Sequence, residues 1–472
     1  MLLRADARRL PLANESVQMV ITSPPYFGLR DYQLGQWIGG EAECAHAYRS
    51  NLGSSNNRAH TAGNVSLEKC PHCDARRSNP GIGLESSLDE YLANLVAVFR
   101  EVKRVLHPLG TVWLNCGDAF AHNGACGGGS PVDDRKPEYG RKGYERDHFG
   151  GRDEAKAAQV KSRVPNGLKP KDLMLLPARV ALALQADGWW LRSDIIFAKV
   201  NPMPESVTDR LTRSYEHVFL LAKKEYYFFD AEAIKQQVTG NAHSRGLGVH
   251  PKSAEMGQGI RQNGSFSAAV HELVSSRNCR DVWTIPSEAN TWATCRNCHH
   301  TAERWPKCRY CGSLNAECSH CHGKQVCPRC GSRDITSHYA AFPQALVEPC
   351  VMAGTSEKGV CARCGNPRVR VIEIEHHANW QGAGQKHDGT YYRPNIGGGV
   401  ANDIRQKRDL GWKPSCTCNA GTRPAIVLDP FCGSGTALVV AQRLGRRFVG
   451  VDLSPDYLRI AQQRTRQLGL GF

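Results

Sequence analysis

A strand, a glycine-rich turn, a helix and a second strand follow one another near the C-terminus, and this order constrains the fold more than any other feature. Ala425–Leu428 (AIVL) is the short apolar run of a buried strand, and Thr436–Leu444 has the spacing of a helix. Arg447–Val451 (RFVGV) then predicts the next strand. Two strands joined through a helix lie parallel in one sheet, and the helix covers one face. The sequence therefore predicts an α/β fold.

The turn between this strand and its helix has the composition of a ligand-binding loop. Residues 429–436 read DPFCGSGT, and glycine at such a turn allows the backbone to approach a ligand closely. Asp452 follows at the end of the next strand, where a carboxylate can bind ribose hydroxyls. The turn lacks the lysine of a phosphate-binding P-loop and the third glycine of a dinucleotide fingerprint. The pattern indicates a ribose-containing ligand, with an ordinary tight turn as the alternative.

A second turn with unusual chemistry lies near the N-terminus. Val17–Ile21 (VQMVI) predicts a short buried strand, and TSPPY follows it at residues 22–26. Two successive prolines fix an extended turn without N–H groups, so their carbonyls and the Ser23 hydroxyl are acceptors with few local donors. Such acceptors suit a flat amino group, and Tyr26 offers a ring on which a planar base can stack. An ordinary Pro-Pro turn after a strand is the alternative.

The alternation of helices and strands continues between these two turns. Leu88–Leu106 repeats apolar residues at helical spacing, with Asp89 and Glu90 in its first turn. Ser454 is expected to cap a last helix that ends near Gln467. Further apolar segments predict the strand Thr111–Asn115, the helix Pro177–Ala186, and the strands Ser193–Lys199 and His217–Ala222.

Composition is that of a soluble globular protein, with 41% hydrophobic and 22% charged residues. No apolar run reaches the roughly 18 residues that a membrane span needs. The N-terminal MLLRADARRLPL lacks the apolar segment of a secretory signal. We therefore expect a cytoplasmic protein with no membrane partner.

Together the two turns resemble the motifs of one enzyme family. Ser-Pro-Pro-Tyr at residues 23–26 and Asp-Pro-Phe-x-Gly-Ser-Gly-Thr at residues 429–436 look like the S-adenosylmethionine-dependent DNA amino-methyltransferases, which modify N4 of cytosine or N6 of adenine. The catalytic motif precedes the cofactor motif, as in the beta class of that family. Weaker similarity covers Asp6 with Leu12, Ser193–Glu205 and His338–Leu346, so the resemblance spans about half of the chain in pieces. It implies an α/β fold with a doubly wound, mostly parallel, Rossmann-like sheet of seven strands.

The resemblance also implies a role for each motif residue. Ser23 and the Pro24 carbonyl would accept hydrogen bonds from the target amino group, and Tyr26 would stack on a base flipped out of the duplex. Asp452 would bind the ribose of S-adenosylmethionine, Asp6 its adenine end, and the glycine loop its methionine end. The candidate catalytic residues are Ser23, Pro24, Pro25 and Tyr26, and the candidate cofactor-binding residues are Asp6, Asp429, Phe431, Gly433, Gly435, Thr436 and Asp452.

The target base is predicted less directly than the reaction. Serine at the first motif position is more typical of the cytosine-N4 enzymes, whereas adenine enzymes more often carry Asp or Asn, so cytosine N4 is favoured and adenine N6 is the alternative. RNA methylation and a non-catalytic zinc-finger DNA-binding protein are further alternatives. Double-stranded DNA is the expected partner, and a cognate restriction endonuclease is a second candidate. Such proteins occur in the cytoplasm of bacteria and archaea or are encoded by phages.

The chain contains 20 cysteines, which a reducing compartment would not keep as disulfides. Four Cys-x-x-Cys pairs lie within 36 residues, and a two-residue spacer lets both thiolates bind one zinc ion. These pairs imply two zinc ions whose pairing stays open; their residues are Cys295, Cys298, Cys308, Cys311, Cys318, Cys321, Cys327 and Cys330. A third site would use Cys361, Cys364, Cys416 and Cys418, and a fourth Cys44, His46, Cys70 and Cys73, with His72 as a competing ligand.

Basic charge follows the cysteine-rich part of the chain. The net charge is +15, of which residues 120–280 and 281–423 each contribute +6, while residues 1–119 are neutral overall. A basic surface favours nucleic acid without distinguishing its sequence. The zinc modules are therefore candidates for sequence readout; alternatively, zinc only stabilises insertions that could not fold alone.

The predicted organisation interleaves segments of a methyltransferase-like core with insertions. The core segments are residues 1–40 (catalytic motif), 81–119, 171–238, 336–356 (a helix) and 424–472 (cofactor motif). The intervening segments are residues 41–80 (small zinc insertion), 120–170 (charged, glycine-rich loop), 239–290 (polar linker), 291–335 (double zinc module, candidate target-recognition region) and 357–423 (third zinc insertion).

Overall fold

Eight strands form the central sheet of the protein, which is represented here by a computed structural model. The structure describes residues 1–28, 36–41, 44, 70, 73–78, 81–121, 164–202, 204–205, 207–237, 276–288, 292–295, 298–303, 329–330, 335–337, 342–379 and 402–468. The sheet strands are β1 (Leu2–Arg4), β2 (Val17–Thr22), β3 (Leu106–Cys116), β4 (Trp190–Lys199), β5 (Tyr215–Ala222), β6 (Val282–Ile285), β7 (Ile426–Asp429) and β8 (Arg447–Asp452). The main helices are α1 (Leu88–Val105), α2 (Leu176–Ala186), α3 (Gln344–Gly354), α4 (Thr436–Arg443) and α5 (Pro455–Leu468).

The strand order is β1-β8-β7-β2-β3-β5-β4-β6, and β5 runs antiparallel to both of its neighbours. The other neighbouring pairs in the sheet are parallel. From β2 the chain passes through α1 to β3, whereas from β7 it passes through α4 to β8 on the other side. The two connections thus lead in opposite directions from the adjacent strands β2 and β7. A doubly wound sheet binds its ligands at the carboxyl ends of the strands where the connections change direction in this way.

Two apolar layers cover the sheet because the side chains of its central strands alternate between its faces. Val20 of β2 packs in a core with residues of α1 and α2, while Met19 and Ile21 pack on the opposite side with residues of α3 and α4. All six residues of β2 are buried, as expected for a strand in the middle of a two-sided sheet. The catalytic turn predicted at its end is therefore attached to the most buried strand.

The fold class is confirmed, with one strand more than the seven expected. Val282–Ile285 lies within the stretch 239–290 that the sequence predicts as a polar linker, yet it pairs parallel with β4 as the edge strand β6. Its alternate residues Trp283 and Ile285 are buried and its other two are exposed, which is the pattern of a strand with one covered face. Three apolar residues, Val282, Trp283 and Ile285, in an otherwise polar stretch are too few to predict a strand.

Element bounds differ modestly from those predicted. α1 ends at Val105 because the chain continues directly into β3 at Leu106, so that this strand begins before the predicted strand Thr111–Asn115. The helix expected around His338–Leu346 begins later, at Gln344, and ends at Gly354. Residues 338–341 lie outside the described part of the chain.

Small β-structures accompany the core. Trp292–Cys295 pairs with Thr301–Glu303 and Ile335–Ser337, and the first two of these strands contact α5. Arg368–Asn379 and Asn402–Pro414 form a long antiparallel ribbon. Shorter antiparallel pairs join Gln36–Ile38 to Arg76–Ser78, Gln236–Gln237 to Ser276–Arg277, and Val360–Cys361 to Thr422–Arg423. None of the described helices combines the length and apolarity that a membrane crossing requires.

Candidate active site

The Pro-Pro turn, the candidate catalytic site, leaves the sheet at the carboxyl end of β2. Its second proline is fixed by α1, because the hydroxyl of Tyr91 on that helix donates a 3.0 Å hydrogen bond to the Pro25 carbonyl. Among the described residues, no donor is bonded to the carbonyl of Pro24. Gly117 lies against the ring of Tyr26 so closely that a Cβ there would meet Cε2 at 2.6 Å. The turn therefore has a fixed backbone and an acceptor to which the described part of the chain offers no donor.

The glycine loop leaves the neighbouring strand β7. Gly433 and Gly435 have φ angles of 48° and 80°, the left-handed region in which glycine is not strained. Arg464 of α5 braces the loop by donating hydrogen bonds to the carbonyl and hydroxyl oxygens of Ser434 at 2.9 and 3.0 Å, and to Oγ1 of Thr436 at 3.2 Å. The loop is thus fixed by its own backbone and by the last helix.

The two turns are joined by a buried contact. Thr22 donates a 2.6 Å hydrogen bond to Oδ1 of Asp429, and the same oxygen accepts the backbone N–H of Phe431 at 3.1 Å. Burial raises the pKa of Asp429 to about 7, although these two hydrogen bonds oppose the rise. Asp429, expected to line the floor of the cofactor pocket, has 1% of its surface exposed and organises both turns.

Asp452 and Asp6 lie at the ends of adjacent strands on the same edge. Asp452 accepts the backbone N–H of Gly433 at 2.9 Å and that of Ser454 at 2.8 Å, and burial raises its pKa to about 6. Asp6 follows β1, in which Arg4 is paired with Asp452. Burial acts to raise the pKa of Asp6, but the Arg8 guanidinium, 2.7 Å from Oδ2, outweighs it and lowers that pKa.

The structure therefore brings the candidate catalytic and cofactor residues to one edge of the sheet, around the divergence of the crossovers. It also adds four residues that sequence reasoning did not select: Thr22, Asn115, Lys199 and Glu216. Asn115 and Glu216 both bond the hydroxyl of Tyr26, at 3.2 and 3.0 Å. Glu216 lies one residue before the predicted strand His217–Ala222, where a lone acid gives no signal until the antiparallel partner strand is known.

Three groups of cysteines converge as predicted for metal sites. Within each group the sulfur atoms lie within 4.8 Å of one another; the groups are Cys361, Cys364, Cys416 and Cys418; Cys295, Cys298 and Cys330; and Cys44, Cys70 and Cys73. The first has the four thiols of a closed tetrahedral zinc site. The second joins the first Cys-x-x-Cys pair to the last. The predicted ligands Cys308, Cys311, Cys318, Cys321, Cys327 and His46, and the competitor His72, lie outside the described residues.

A doubly wound sheet with a glycine loop and a Pro-Pro turn at its switch point defines the class of Rossmann-like methyltransferases. The chain belongs to the family of N6/N4 DNA methylases, whose sequence model, described as DNA methylase, matches residues 17–362 and 419–463. The protein is thus a DNA methyltransferase whose methyl donor is S-adenosylmethionine.

Bacterial Type II methyltransferases are similar to this chain over nearly its full length. M.Cfr9I of Citrobacter freundii is 28% identical over 457 residues, which cover 97% of this chain and 83% of that protein. M.XycI of Xanthomonas campestris pv. cyanopsidis has the same identity and coverage. M.SmaI of Serratia marcescens is 27% identical over 453 residues, 96% of this chain and 85% of the relative.

Solved structures of DNA methyltransferases are also similar. A putative DNA modification methylase from Thermus thermophilus, complexed with S-adenosyl-L-methionine, has a TM-score of 0.39 and 15% identity, covering all of this chain and 95% of the other. The PvuII DNA methyltransferase (cytosine-N4-specific) has a TM-score of 0.40 and 12% identity, covering 98% and 85%.

Proposed function

We propose that this protein methylates N4 of cytosine in double-stranded DNA, with the residue 22–26 turn as its catalytic site. The observation that carries the proposal is the position of Ser23 and of the unbonded Pro24 carbonyl at the end of β2, beside the glycine loop of β7. Adenine N6 is the second candidate. Serine at the first motif position favours cytosine, because it offers a single hydroxyl oxygen where the adenine enzymes more often carry Asp or Asn.

The residues around the glycine loop fit S-adenosylmethionine by their chemistry. This cofactor carries two ribose hydroxyls, an adenine amino group and an ammonium, all of which are hydrogen-bond donors, and it supplies an electrophilic methyl group on a sulfonium. Asp6, Asp429 and Asp452 place three carboxyl groups along the edge to receive such donors. Asp452 would bind the ribose and Asp6 the adenine end, while Phe431, Gly433, Gly435 and Thr436 would surround the methionine end.

The catalytic turn would activate a poor nucleophile. The lone pair of an aromatic amine is delocalised into its ring, so the amino group must be held in a geometry that favours attack. Ser23 Oγ and the Pro24 carbonyl would accept its N–H bonds and stabilise the positive charge that develops on nitrogen. Tyr26 would stack on the flipped base, whose extrusion costs a few kcal/mol. Alignment of the amine by these contacts lowers the entropic part of the barrier.

The cysteine groups would hold structural zinc. Four thiols within 4.8 Å at Cys361, Cys364, Cys416 and Cys418 are the composition of a closed site. The other two groups would each need a further ligand from outside the described residues. The basic segment 291–335 around the second group is proposed to contact the DNA target. A cognate restriction endonuclease is the proposed cellular counterpart, since the similar bacterial proteins bear the name Type II methyltransferase.

Nucleoside mass spectrometry tests the proposal directly. DNA from cells that express the protein is digested and compared with DNA from cells that express Pro24→Ala. N4-methylcytosine present with the native protein and absent with the variant is the expected result. N6-methyladenine instead would overturn the cytosine assignment, and a product that persists with Pro24→Ala would overturn the site.

A further inference from the structure

A partly buried carboxylate, that of Glu216, lies beside the proposed catalytic turn. Glu216 lies in β5, opposite Phe197 of β4, and its side chain is 17% exposed. Oε1 accepts a 2.5 Å hydrogen bond from Lys199 Nζ. Oε2 accepts hydrogen bonds from Asn115 Nδ2 at 2.9 Å and from the hydroxyl of Tyr26 at 3.0 Å. Both carboxylate oxygens are therefore occupied, and one of them bonds a residue of the catalytic turn.

The bonds around Glu216 keep it ionised. Burial acts to raise its pKa, but the charge of Lys199, together with hydrogen bonds from Lys199, Asn115 and Tyr26, outweighs burial and lowers the pKa below its ordinary value. The Tyr26 hydroxyl stays neutral, because burial and then the negative charge of Glu216 raise its pKa well above the usual range. Beside the carboxylate, Cys116 has a pKa raised by burial and by the charges of Glu216 and Asp118, against the lowering effect of Arg213.

An ionised carboxylate determines the direction of the hydrogen bonds that lead to it. A carboxylate can only accept, so the Tyr26 hydroxyl donates its proton to Glu216 and is left as an acceptor. That acceptor receives the hydroxyl of Ser23 at 3.2 Å. The single proton of Ser23 is then directed at Tyr26. One lone pair of Ser23 Oγ accepts a 3.5 Å hydrogen bond from Asn115 Nδ2, and the other remains for a further donor. A target amino group is such a donor.

We propose that Glu216 is a positioning residue for methyl transfer, which sets the hydroxyl chain Ser23→Tyr26→Glu216 so that Ser23 faces the target amine as an acceptor. Without Glu216 the Ser23 hydroxyl is free to point its proton at the amine, which repels an N–H donor. This inference rests on the proposal that residues 22–26 form the catalytic site.

The first test is a double-mutant cycle that combines changes at Glu216 and Tyr26. Glu216→Gln keeps the shape but its amide can donate to Tyr26, and Tyr26→Phe keeps the ring while it removes the hydroxyl. Each change is expected to lower kcat by about 10- to 100-fold, with the KM for DNA little changed. This loss is smaller than the roughly 100- to 1,000-fold expected for a donor that contacts the reacting group itself, because both residues act through Ser23. Because Glu216 acts through the Tyr26 hydroxyl, Glu216→Gln should cost less than about threefold in the Tyr26→Phe background. Full additivity, or single variants with native kcat, would overturn the proposal.

The second test is the dependence of kcat on pH, which would not change if Glu216 had only a structural role. Lys199→Met removes the charge that opposes burial, so the pKa of Glu216 rises. On acidification, kcat of Lys199→Met should then fall at a higher pH than kcat of the native protein, and Lys199→Met combined with Glu216→Gln should lack that fall. If kcat of the double variant still falls on acidification, the role proposed for Glu216 is wrong. If Glu216→Gln does not fold, Tyr26→Phe carries the test, and an unchanged kcat in that variant is decisive against it.

Two controls separate this inference from the proposed function. Asp194→Asn removes a carboxylate from the adjacent strand β4, where it pairs with His217 at 2.9 Å; His217 points to the face of β5 opposite Glu216, so kcat should stay native. Base flipping is followed by the fluorescence of 2-aminopurine at the target, and it should be native in Glu216→Gln. If Pro24→Ala retains activity, the catalytic site itself is wrong. If Pro24→Ala is inactive while Glu216→Gln is native, only the role of Glu216 is wrong.

Discussion

The hydroxyl of Thr22 donates a 2.6 Å hydrogen bond to Asp429 across 407 residues of chain. Thr22 ends the strand that leads to the Pro-Pro turn, and Asp429 ends the strand that leads to the glycine loop. Parallel pairing of β2 with β7 makes the contact possible, because it brings the carboxyl ends of both strands to one edge. The proposed base site and the proposed cofactor site therefore share one buried hydrogen bond.

Thr22→Val tests this coupling, since valine has nearly the same shape and lacks the hydroxyl. A hydrogen bond to an ionisable group is worth about 1.5–3 kcal/mol, so the affinity for S-adenosylmethionine should fall by roughly 10- to 100-fold in calorimetric titration. Thr465→Val is the matched control, because Thr465 is also buried but bonds the carbonyl of Ala461 in its own helix. Equal losses in both variants would mean that the Thr22 bond carries no specific coupling.

Asp429→Asn should change how stability depends on pH. The folded-state pKa of Asp429 is about 7, above the ordinary 3.8, so the native state holds this proton more tightly than the unfolded chain does. The contribution of Asp429 to stability is therefore greatest below about pH 4 and is lost as the pH rises to about 7. Three pKa units correspond to about 4 kcal/mol, and asparagine avoids this loss. The thermal midpoint of Asp429→Asn minus that of the native protein should rise between pH 5 and pH 8.

Asp209→Asn is the control for Asp429→Asn, because the pKa of Asp209 is shifted in the opposite direction. The bond from Lys171 lowers the pKa of Asp209, so its contribution is present above the ordinary carboxyl pKa and is lost only on acidification. The midpoint difference for this variant should be flat between pH 5 and pH 8. A flat difference for Asp429→Asn as well would contradict the raised pKa of that residue.

Elements with a strong local signal could be predicted from the sequence. Leu88–Leu106 repeats apolar residues at helical spacing, and the observed α1 (Leu88–Val105) differs from the prediction by one residue. The glycine turn at 429–436 and the prolines at 24 and 25 specify loops by their own backbone chemistry, so both could be located without the fold. The family resemblance of these turns then gave the DNA methyltransferase class that the family match confirms.

Contacts that depend on strand register could not be predicted. Glu216 meets Lys199 because β5 runs antiparallel to β4, and neither residue has a distinctive sequence context. Asp429 meets Thr22 only once β7 is known to pair with β2 rather than with another strand. The union of Cys295 and Cys298 with Cys330 likewise depends on the path of the chain between them, since any two Cys-x-x-Cys pairs satisfy the same spacing rule.

Removal of zinc from the proposed site at Cys361, Cys364, Cys416 and Cys418 should destabilise the segment that leads into β7 and the glycine loop. Cys361 lies in a two-residue strand that pairs with Thr422–Arg423, just before β7, and the Cys364 carbonyl is bonded to the His107 ring at 3.2 Å. Cys364→Ser should lower the zinc content by about one ion per chain, measured by mass spectrometry of the purified protein. It should also lower the thermal midpoint of unfolding. Cys279→Ser is the control, because Cys279 is outside the three cysteine groups and should leave zinc unchanged. Native zinc content in Cys364→Ser would remove this site.

Gly435→Ala in the glycine loop and Gly445→Ala in the turn after α4 separate a conformational cost from a steric one. The two glycines have similar φ angles, 80° and 72°, so alanine costs about 1–2 kcal/mol at either position for its left-handed backbone. A Cβ on Gly435 would lie 2.8 Å from the Cβ of Ala461 on α5, whereas a Cβ on Gly445 meets nothing within 4 Å. Gly435→Ala must therefore also displace α5 or the loop, and it should unfold at lower denaturant concentration than Gly445→Ala and bind S-adenosylmethionine at least about 10-fold more weakly. If the two variants lose the same stability and keep the same affinity, the close packing of the loop on α5 is not what positions the cofactor residues.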